Sequence, residues 1–231
     1  MKGIHFENVS KYYKEGGNTF AALKNVSITV KPGEFVAVIG PSGSGKSTFL
    51  SIAGALLRPS EGKVVINGVQ LSDLKPKELS KFRLEQIGFI LQTSNLIPYL
   101  KVIDQLLVVK KMTGKITNED KLFAKELLKD VGLEDKLDKF PDQLSGGERQ
   151  RVAVARAFMN DPDIILADEP TASLDTERAF EIASLIANEA KSRNKASIMV
   201  THDERLLKYC DKVYQMIDGN LTMAENMALS N

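Results

Sequence analysis

Nine consecutive residues, Gly40, Pro41, Ser42, Gly43, Ser44, Gly45, Lys46, Ser47 and Thr48, carry the pattern G-x-x-x-x-G-K-[ST], whose chemistry is the binding of nucleotide phosphates. Glycines let the backbone approach closely and turn its N–H groups onto phosphate oxygens. Lys46 adds a full positive charge, and Ser47 offers a hydroxyl to Mg²⁺. Such a loop works between a strand and a helix, and the flanking residues supply both. Residues 34–39 are short, apolar and β-branched, as a buried strand requires, and from Lys46 onward Phe49, Leu50, Ile52 and Ala53 fall on one side of a helix. The chain therefore reads as a nucleotide-binding protein.

Further along, Ile164, Ile165, Leu166 and Ala167 run into two carboxylates, Asp168 and Glu169. The carboxyl end of a parallel strand is where α/β proteins place ligands. Asp168 suits Mg²⁺, held through water, and Glu169 suits a base that orients and deprotonates an attacking water. A second anion site is written at Leu144-Ser145-Gly146-Gly147-Glu148. Ser145 and Glu148 form a capping box, and the two glycines leave backbone N–H groups open at the front of a helix. Three more chemistry-bearing segments accompany these: Gln92 after an apolar strand, Ser173-Leu174-Asp175 just beyond the paired carboxylates, and Thr201-His202-Asp203 after the last strand.

The elements that must position these residues alternate. Residues 4–9 and 25–30 read as strands around a turn at Gly16-Gly17-Asn18, with Val26, Ile28 and Val30 alternating against polar neighbours, and residues 63–67 add a third. Strands at 163–167 and 196–201 flank a helix at about 176–192. Strands alternating with helices imply a parallel sheet covered on both faces, interrupted by a helical insert. Within the insert, residues 117–132 carry Leu122, Phe123, Leu127, Leu128 and Val131 at helical spacing behind a capping box of Thr117 and Asp120, a face for packing on neighbouring helices. Lys110-Lys111 and the mixed charges of 125–139 are solvated helix faces.

Composition narrows the class. The 231 residues are 43% apolar, ample for a large core, and 31 Lys and Arg stand against 30 Asp and Glu. No overall field draws the protein to nucleic acid. The single cysteine, Cys210, excludes an intrachain disulfide and reads as structural. His5 is an incidental strand residue. With no signal-peptide core at the N-terminus and no run near the ~20 apolar residues needed to span a bilayer, any work on a membrane requires a separate subunit.

Together the phosphate loop, Ser145-Gly146-Gly147-Glu148, Gln92, Asp168-Glu169, Asp175 and His202 resemble the motif set of the ABC ATPase family, over essentially the whole chain. The resemblance implies an α/β ABC ATPase fold: a RecA-like phosphate-loop core with a mainly parallel sheet, an N-terminal antiparallel β subdomain and an inserted α-helical subdomain. It implies one such unit over residues 1–231, with core and β subdomain at about 1–92 and 160–231 and the helical part at about 93–159. It further implies ATP and Mg²⁺ as cofactors, with Ser47, Gln92 and Asp168 on the metal, Glu169, His202 and Gln92 catalytic, and His202 on the γ-phosphate. Ser145 with Gly147 completes the site of an opposite copy, and Asp175 lies across the dimer interface. Of the adjacent Tyr12 and Tyr13, which point to opposite faces if extended, the family's aromatic position favours Tyr13 for stacking on adenine.

Residues 22–26, 87–92 and 95–98 resemble the branch of macrolide and lipoprotein exporters and the cell-division ATPase FtsE. That branch implies an FtsX-like permease, two copies of it, and a peripheral place on the cytoplasmic face of the membrane. The chain also leaves no room for an added regulatory domain. Residues 96–105 and 156–160 are similar to the ATPases of bacterial heme exporters, so heme or hemin efflux is the favoured cargo. Efflux of antimicrobial peptides or lipophilic compounds, or an FtsE-like clamp on a membrane partner, are the alternatives.

Overall fold

The computed structural model describes residues 2–224. The chain opens with a long hairpin, β1 (Ile4–Glu15) and β2 (Asn18–Val30), paired antiparallel from Ile4 opposite Val30 to Glu15 opposite Asn18. Both strands outrun the segments their alternation predicts. The register shifts between Phe6 and Val9, again before Lys11 and again before Tyr12, while Asn8 and Asn25 take left-handed backbone at φ 52 and 53. Each bulge moves the apolar set to the other face, so the period-two signal breaks although pairing continues.

After the hairpin come β3 (Phe35–Ile39), buried at all five positions, and α1 (Lys46–Ala53), whose buried residues are Phe49, Leu50, Ile52 and Ala53. Next are β4 (Glu61–Ile66), β5 (Val69–Gln70), α2 (Pro76–Gln86) and β6 (Ile87–Ile90). Three helices follow, α3 (Val102–Thr113), α4 (Asn118–Asp130) and α5 (Gly146–Phe158). The chain then runs through β7 (Ile164–Asp168), α6 (Thr176–Ser192), β8 (Ala196–Val200), β9 (Lys212–Ile217) and β10 (Asn220–Met223).

Two sheets result. An antiparallel one has the order β2-β1-β4-β5, and a larger one the order β10-β9-β3-β8-β7-β6, parallel from β9 through β6 with β10 antiparallel at its edge. Alternate residues of β3 serve different cores. Val36 and Val38 pack with Phe49, Ile52 and the antiparallel sheet; Phe35, Ala37 and Ile39 pack with α3 to α6 through Leu106, Leu128, Val154 and Ile182. Burial on both faces explains the unbroken apolar run in front of the phosphate loop.

The expected stripe of α4 is corrected at one place. Ala124, Leu127 and Leu128 are buried and Phe123 packs at their edge, whereas Leu122 is 66% exposed. Its neighbours at three- and four-residue spacing define the buried face, and Leu122 lies off that line. The capping box of Thr117 and Asp120 forms, with Asp120 N–H donating to Thr117 Oγ1 at 3.2 Å and Thr117 N–H to Asp120 Oδ2 at 2.8 Å. Among the described residues no helix is long and apolar enough to cross a membrane.

Candidate functional site

A cleft of 940 Å³ lies at the carboxyl ends of the parallel strands, lined by the phosphate loop and by Tyr13, Gln92, Asp168, Glu169 and His202. The loop connecting β3 to α1 wraps the cleft floor. Gly45 caps α1 in left-handed backbone at φ 110, where a Cβ would run into the carbonyl of Ala22. Gly43, at φ 78, has open space on the side a Cβ would occupy, so its backbone faces the cleft unshielded. Lys46 Nζ donates to Gly40 O at 2.6 Å and Pro41 O at 2.9 Å, strapping the loop with its ammonium. Ser47 is exposed and, with Thr48, lines the cleft. Ser44 differs from the other loop residues. It is 3% exposed and absent from the lining, its Oγ buried without a partner.

Across the cleft, β7 delivers Asp168 and Glu169 as the strand ends. Burial, and then the neighbouring Glu169 charge, push the Asp168 carboxyl above its ordinary range, with Lys46 pulling the other way. Glu169 sits in left-handed backbone at φ 47, held by its N–H bond to Val200 O at 2.9 Å. That non-glycine strain turns its carboxylate onto His202, Oε2 to Nδ1 2.6 Å. His202 itself is 69% exposed at the mouth. Its loop is fixed on the far side, where Asp203 N–H donates to the buried Thr201 Oγ1 at 3.0 Å and Arg205 grips the Asp203 carboxylate with two bonds of 2.8 Å. That fork holds the Asp203 carboxyl below its usual range.

Gln92 enters on the loop after β6, and residues distant in sequence hold that loop. Gln150, 3% exposed, donates from Nε2 to Leu91 O at 3.0 Å. Arg156 donates from Nη2 to Ser94 O at 2.6 Å and from Nη1 to Asn95 O at 3.0 Å. Burial alone draws the Arg156 guanidinium below its ordinary value. Both side chains belong to α5, so this helix clamps the backbone on either side of Gln92. Sequence reading missed that role; its only signal was a glutamine and an arginine placed among the valines and alanines of a buried helix face.

The same helix begins at the glycine pair. Ser145 Oγ accepts from Glu148 N–H at 3.2 Å and Ser145 N–H donates to Glu148 Oε2 at 2.7 Å, closing the capping box. The Ser145 N–H, ahead of Lys136, holds the Glu148 carboxyl below its usual range. Gly147 is buried against Arg178, while a Cβ on Gly146 would meet nothing closer than 4.0 Å. None of Ser145, Gly146, Gly147 and Glu148 lines the cleft, and neither does Asp175. Asp175 instead caps α6, its Oδ1 accepting from Arg178 N–H at 3.0 Å, with 57% of its side chain exposed.

Of the two tyrosines only Tyr13 reaches the cleft. Tyr12 turns its hydroxyl to Glu61 Oε2 at 3.2 Å on the other side of the hairpin. Phe20, Lys24 and Asp218 also line the cleft without having been anticipated. Cys210 is buried and its thiol pushed up to about 12, first by burial and then by Asp211, as a structural cysteine would be.

The donors around the cleft suit a magnesium nucleotide. Ser47, Gln92 and Asp168 offer oxygen atoms beside the phosphate loop, a set with one carboxylate, and Mg²⁺ prefers one or two carboxylates together with phosphate oxygens. Among the described residues no group of three or more His, Cys, Asp or Glu stands together as a metal cage.

A family model described as "ABC transporter" matches residues 23–172. Over 216 residues, 94% of this chain and 97% of the relative, the sequence is 49% identical to the ATP-binding protein HrtA of Staphylococcus aureus (strain Newman), provisionally named for hemin import. Among solved structures, the dimeric post-hydrolysis state of the ATP-binding cassette MJ0796 bound to ADP and Pi is 40% identical, with a TM-score of 0.85 over 96% of this chain and 97% of that one. Also similar is cbiO1 from Clostridium perfringens, part of the ABC transporter complex cbiONQ, at 29% identity and TM-score 0.85 over 96% and 87% of the two chains.

Proposed function

The chain belongs to the ABC transporter family and is its ATP-binding, ATP-hydrolysing subunit, and from that premise we propose that two copies close on two ATP molecules to drive a bacterial exporter. The observation that carries the reading is the division of the motifs. One cleft holds the phosphate loop, Gln92, Asp168, Glu169 and His202, while the glycine-started end of α5 and Asp175 stand outside it. In this reading Ser145, Gly146, Gly147 and Glu148 complete the γ-phosphate site of the opposite copy, with Asp175 at the interface. The γ-phosphate then joins the copies, and hydrolysis releases them.

Within each cleft, the loop N–H groups from Gly40 to Thr48 and the Lys46 ammonium bind the triphosphate, and Tyr13 stacks on adenine. Ser47, Gln92 and Asp168 would hold Mg²⁺, which when bound neutralises charge building on the phosphate oxygens. Glu169 accepts the proton of the attacking water, and His202, oriented by the same carboxylate, faces the γ-phosphate. As a division of the fold we assign a RecA-like core with β subdomain at about 1–92 and 160–231, and a helical subdomain at about 93–159.

The partner we propose is an FtsX-like permease, two copies with the two ATPase chains, placing this chain peripherally on the cytoplasmic face of the membrane. Support comes from a 730 Å³ groove between α2, β6, α3 and α5, lined by Leu56, Leu91, Met112 and Arg156. Leu56 and Met112 are 60% and 68% exposed there, and Leu91 directly precedes Gln92, so a permease helix seated in the groove presses on the nucleotide loop. Heme or hemin is the proposed cargo, supported by the likeness to HrtA; that relative is named for import, whereas the exporter branch implies outward transport.

Two experiments test this. Mixing Lys46→Ala with Ser145→Arg chains should restore hydrolysis that each lacks alone, because heterodimers keep one site free of both lesions; wild-type turnover in either pure variant would overturn the composite site. In inside-out vesicles carrying this chain with the permease encoded beside it, ATP should load hemin into the lumen, and Glu169→Gln should abolish loading. ATP-driven loss of hemin from preloaded inside-out vesicles, with no luminal gain in empty ones, would reverse the direction to import; hydrolysis indifferent to hemin would move the cargo to peptides or the role to a clamp.

A further inference from the structure

We propose that Arg178 is a positioning residue of the dimer site: it holds the glycine pair of α5 and Asp175 of α6 as one unit, so that the copy carrying it prepares the γ-phosphate site of the opposite copy. The assignment rests on the composite-site reading and adds to it a residue outside every motif.

Gly146 and Gly147 are the first two residues of α5. Among the described residues nothing demands glycine there. A Cβ on Gly146 would meet nothing closer than 4.0 Å, and one on Gly147 would stand 3.4 Å from Arg178 Cδ, an ordinary contact. Glycine weakens a helix, so the pair answers to something outside the chain, and what it offers is backbone. The first N–H groups of a helix have no partner within it, and the capping box takes only that of Glu148.

Arg178 governs how that backbone is presented. Its Cγ and Cδ lie across Gly147, the nearest atoms to the space a side chain would fill. Its Nη1 stands 3.3 Å from Asp175 Oδ2, and its N–H donates to Asp175 Oδ1 at 3.0 Å. One side chain thus lays its stem on the start of α5 and fastens its head to the N-cap of α6. Further along, Arg151 Nη2 meets Glu181 Oε2 at 2.6 Å, and Val152 and Ala155 of one helix share an apolar core with Ala179 and Ile182 of the other. The helices therefore stay packed without Arg178, and only their first turns come loose. Because 53% of the Arg178 side chain and 57% of that of Asp175 are exposed, the pair adds little to stability. Its contribution is to place the two groups that face the second copy.

The test uses full chains in the pairing of Lys46→Ala with Ser145→Arg, each with its own affinity tag so that only mixed pairs are collected. The one live site then takes its phosphate loop from the Ser145→Arg chain and its glycine pair from the Lys46→Ala chain. Arg178→Ala on the Lys46→Ala chain should cut turnover at saturating ATP about tenfold, less than the ~10²-fold that a 1 Å misplacement can cost. On the Ser145→Arg chain, whose glycine pair is already disabled, the same change should leave turnover near that of the unmodified pair. Arg178→Lys keeps a stem over Gly147 and a cation within reach of Asp175, and should retain most of the turnover on either chain. Tm should hold throughout. Equal losses on both chains, or a Tm that falls with turnover, would make Arg178 a support of its own fold and overturn the assignment. So would no loss on either chain, or a lysine variant as poor as alanine. An unmodified pair without restored turnover overturns the composite site itself, and so separates the two failures.

Discussion

Glu169→Gln separates the chemistry of the carboxylate from the geometry that holds it. The backbone there is fixed at φ 47 by the bond to Val200 O, and the side chain, 20% exposed, reaches His202 at 2.6 Å. Glutamine has the same size and keeps an oxygen able to meet His202, so the turn and the cleft should survive. Basicity and charge are what disappear. A positioned general base contributes about 10²- to 10⁴-fold to rate, which at 1.36 kcal/mol per decade is about 2.7–5.5 kcal/mol of barrier.

The lost charge has a second effect. Glu169 is one of the causes that hold the Asp168 carboxyl above its ordinary range, so the substitution lets Asp168 ionise more readily. The groups proposed for Mg²⁺ and ATP are not weakened, and affinity for ATP should stay within a few-fold of the parent. The assay pairs phosphate release at saturating ATP with equilibrium binding of ATP, and sizing with ATP present should reveal a trapped dimer. Turnover within tenfold of the parent would remove Glu169 as the base. Loss of ATP binding together with turnover would refute the reasoning differently, by showing that the carboxylate supports the cleft rather than the proton transfer.

Lys46→Ala should act on binding first, since it removes both a charge on the phosphates and the strap to Gly40 and Pro41; unchanged ATP affinity would contradict the phosphate-loop assignment. Asp168→Asn should abolish Mg²⁺-dependent turnover yet raise Tm at pH 7. A raised carboxyl means the folded chain holds this proton more tightly than the unfolded one, so the ionised group costs stability at neutral pH, and that cost fades as pH falls to the ordinary value of 3.8. A Tm lowered at pH 7, or a gain that persists at pH 3, would show the sign to be wrong. Gln150→Leu leaves the Leu91 carbonyl without its partner, and urea titration should find a loss of about 1–3 kcal/mol, with turnover falling more than ATP affinity; equal losses would mean that Gln150 does not position the Gln92 loop. Native Cys210, its thiol pushed up to about 12, should resist iodoacetamide at pH 8 and react on unfolding; rapid labelling of the native chain would contradict its burial.

What the sequence makes legible depends on distance along the chain. The phosphate loop is contiguous, its strand and helix announce themselves by apolar runs, and the buried residues of α1 are the four that periodicity picks out. Capping boxes at Thr117 and Ser145 span four residues each and form as their spacing implies. Read by alternation, the first strand ends at Val9, because bulges reverse the facing pattern while pairing continues, and a periodicity argument sees only the pattern. Phe20 escaped notice for a related reason. Its partner Tyr13 is fixed by the register of a bulged hairpin, which is a property of pairing and not of composition.

The clamp on the Gln92 loop is more distant still, since Gln150 and Arg156 bond backbone 59 to 62 residues away. Its geometry gives α5 two duties on one rigid body. The first turn presents the capped glycine pair, and residues 150 and 156, about 9 Å apart along the axis at 1.5 Å per residue, hold the chain on both sides of Gln92. Arg156 also borders the apolar groove. A load on the groove therefore cannot shift the Gln92 loop without either straining those three bonds or moving α5, and moving α5 displaces the glycine pair at its other end. The proposed docking groove, the nucleotide loop and the surface offered to a second copy are tied through one helix, which is the physical link that a transporter driven by dimer closure requires.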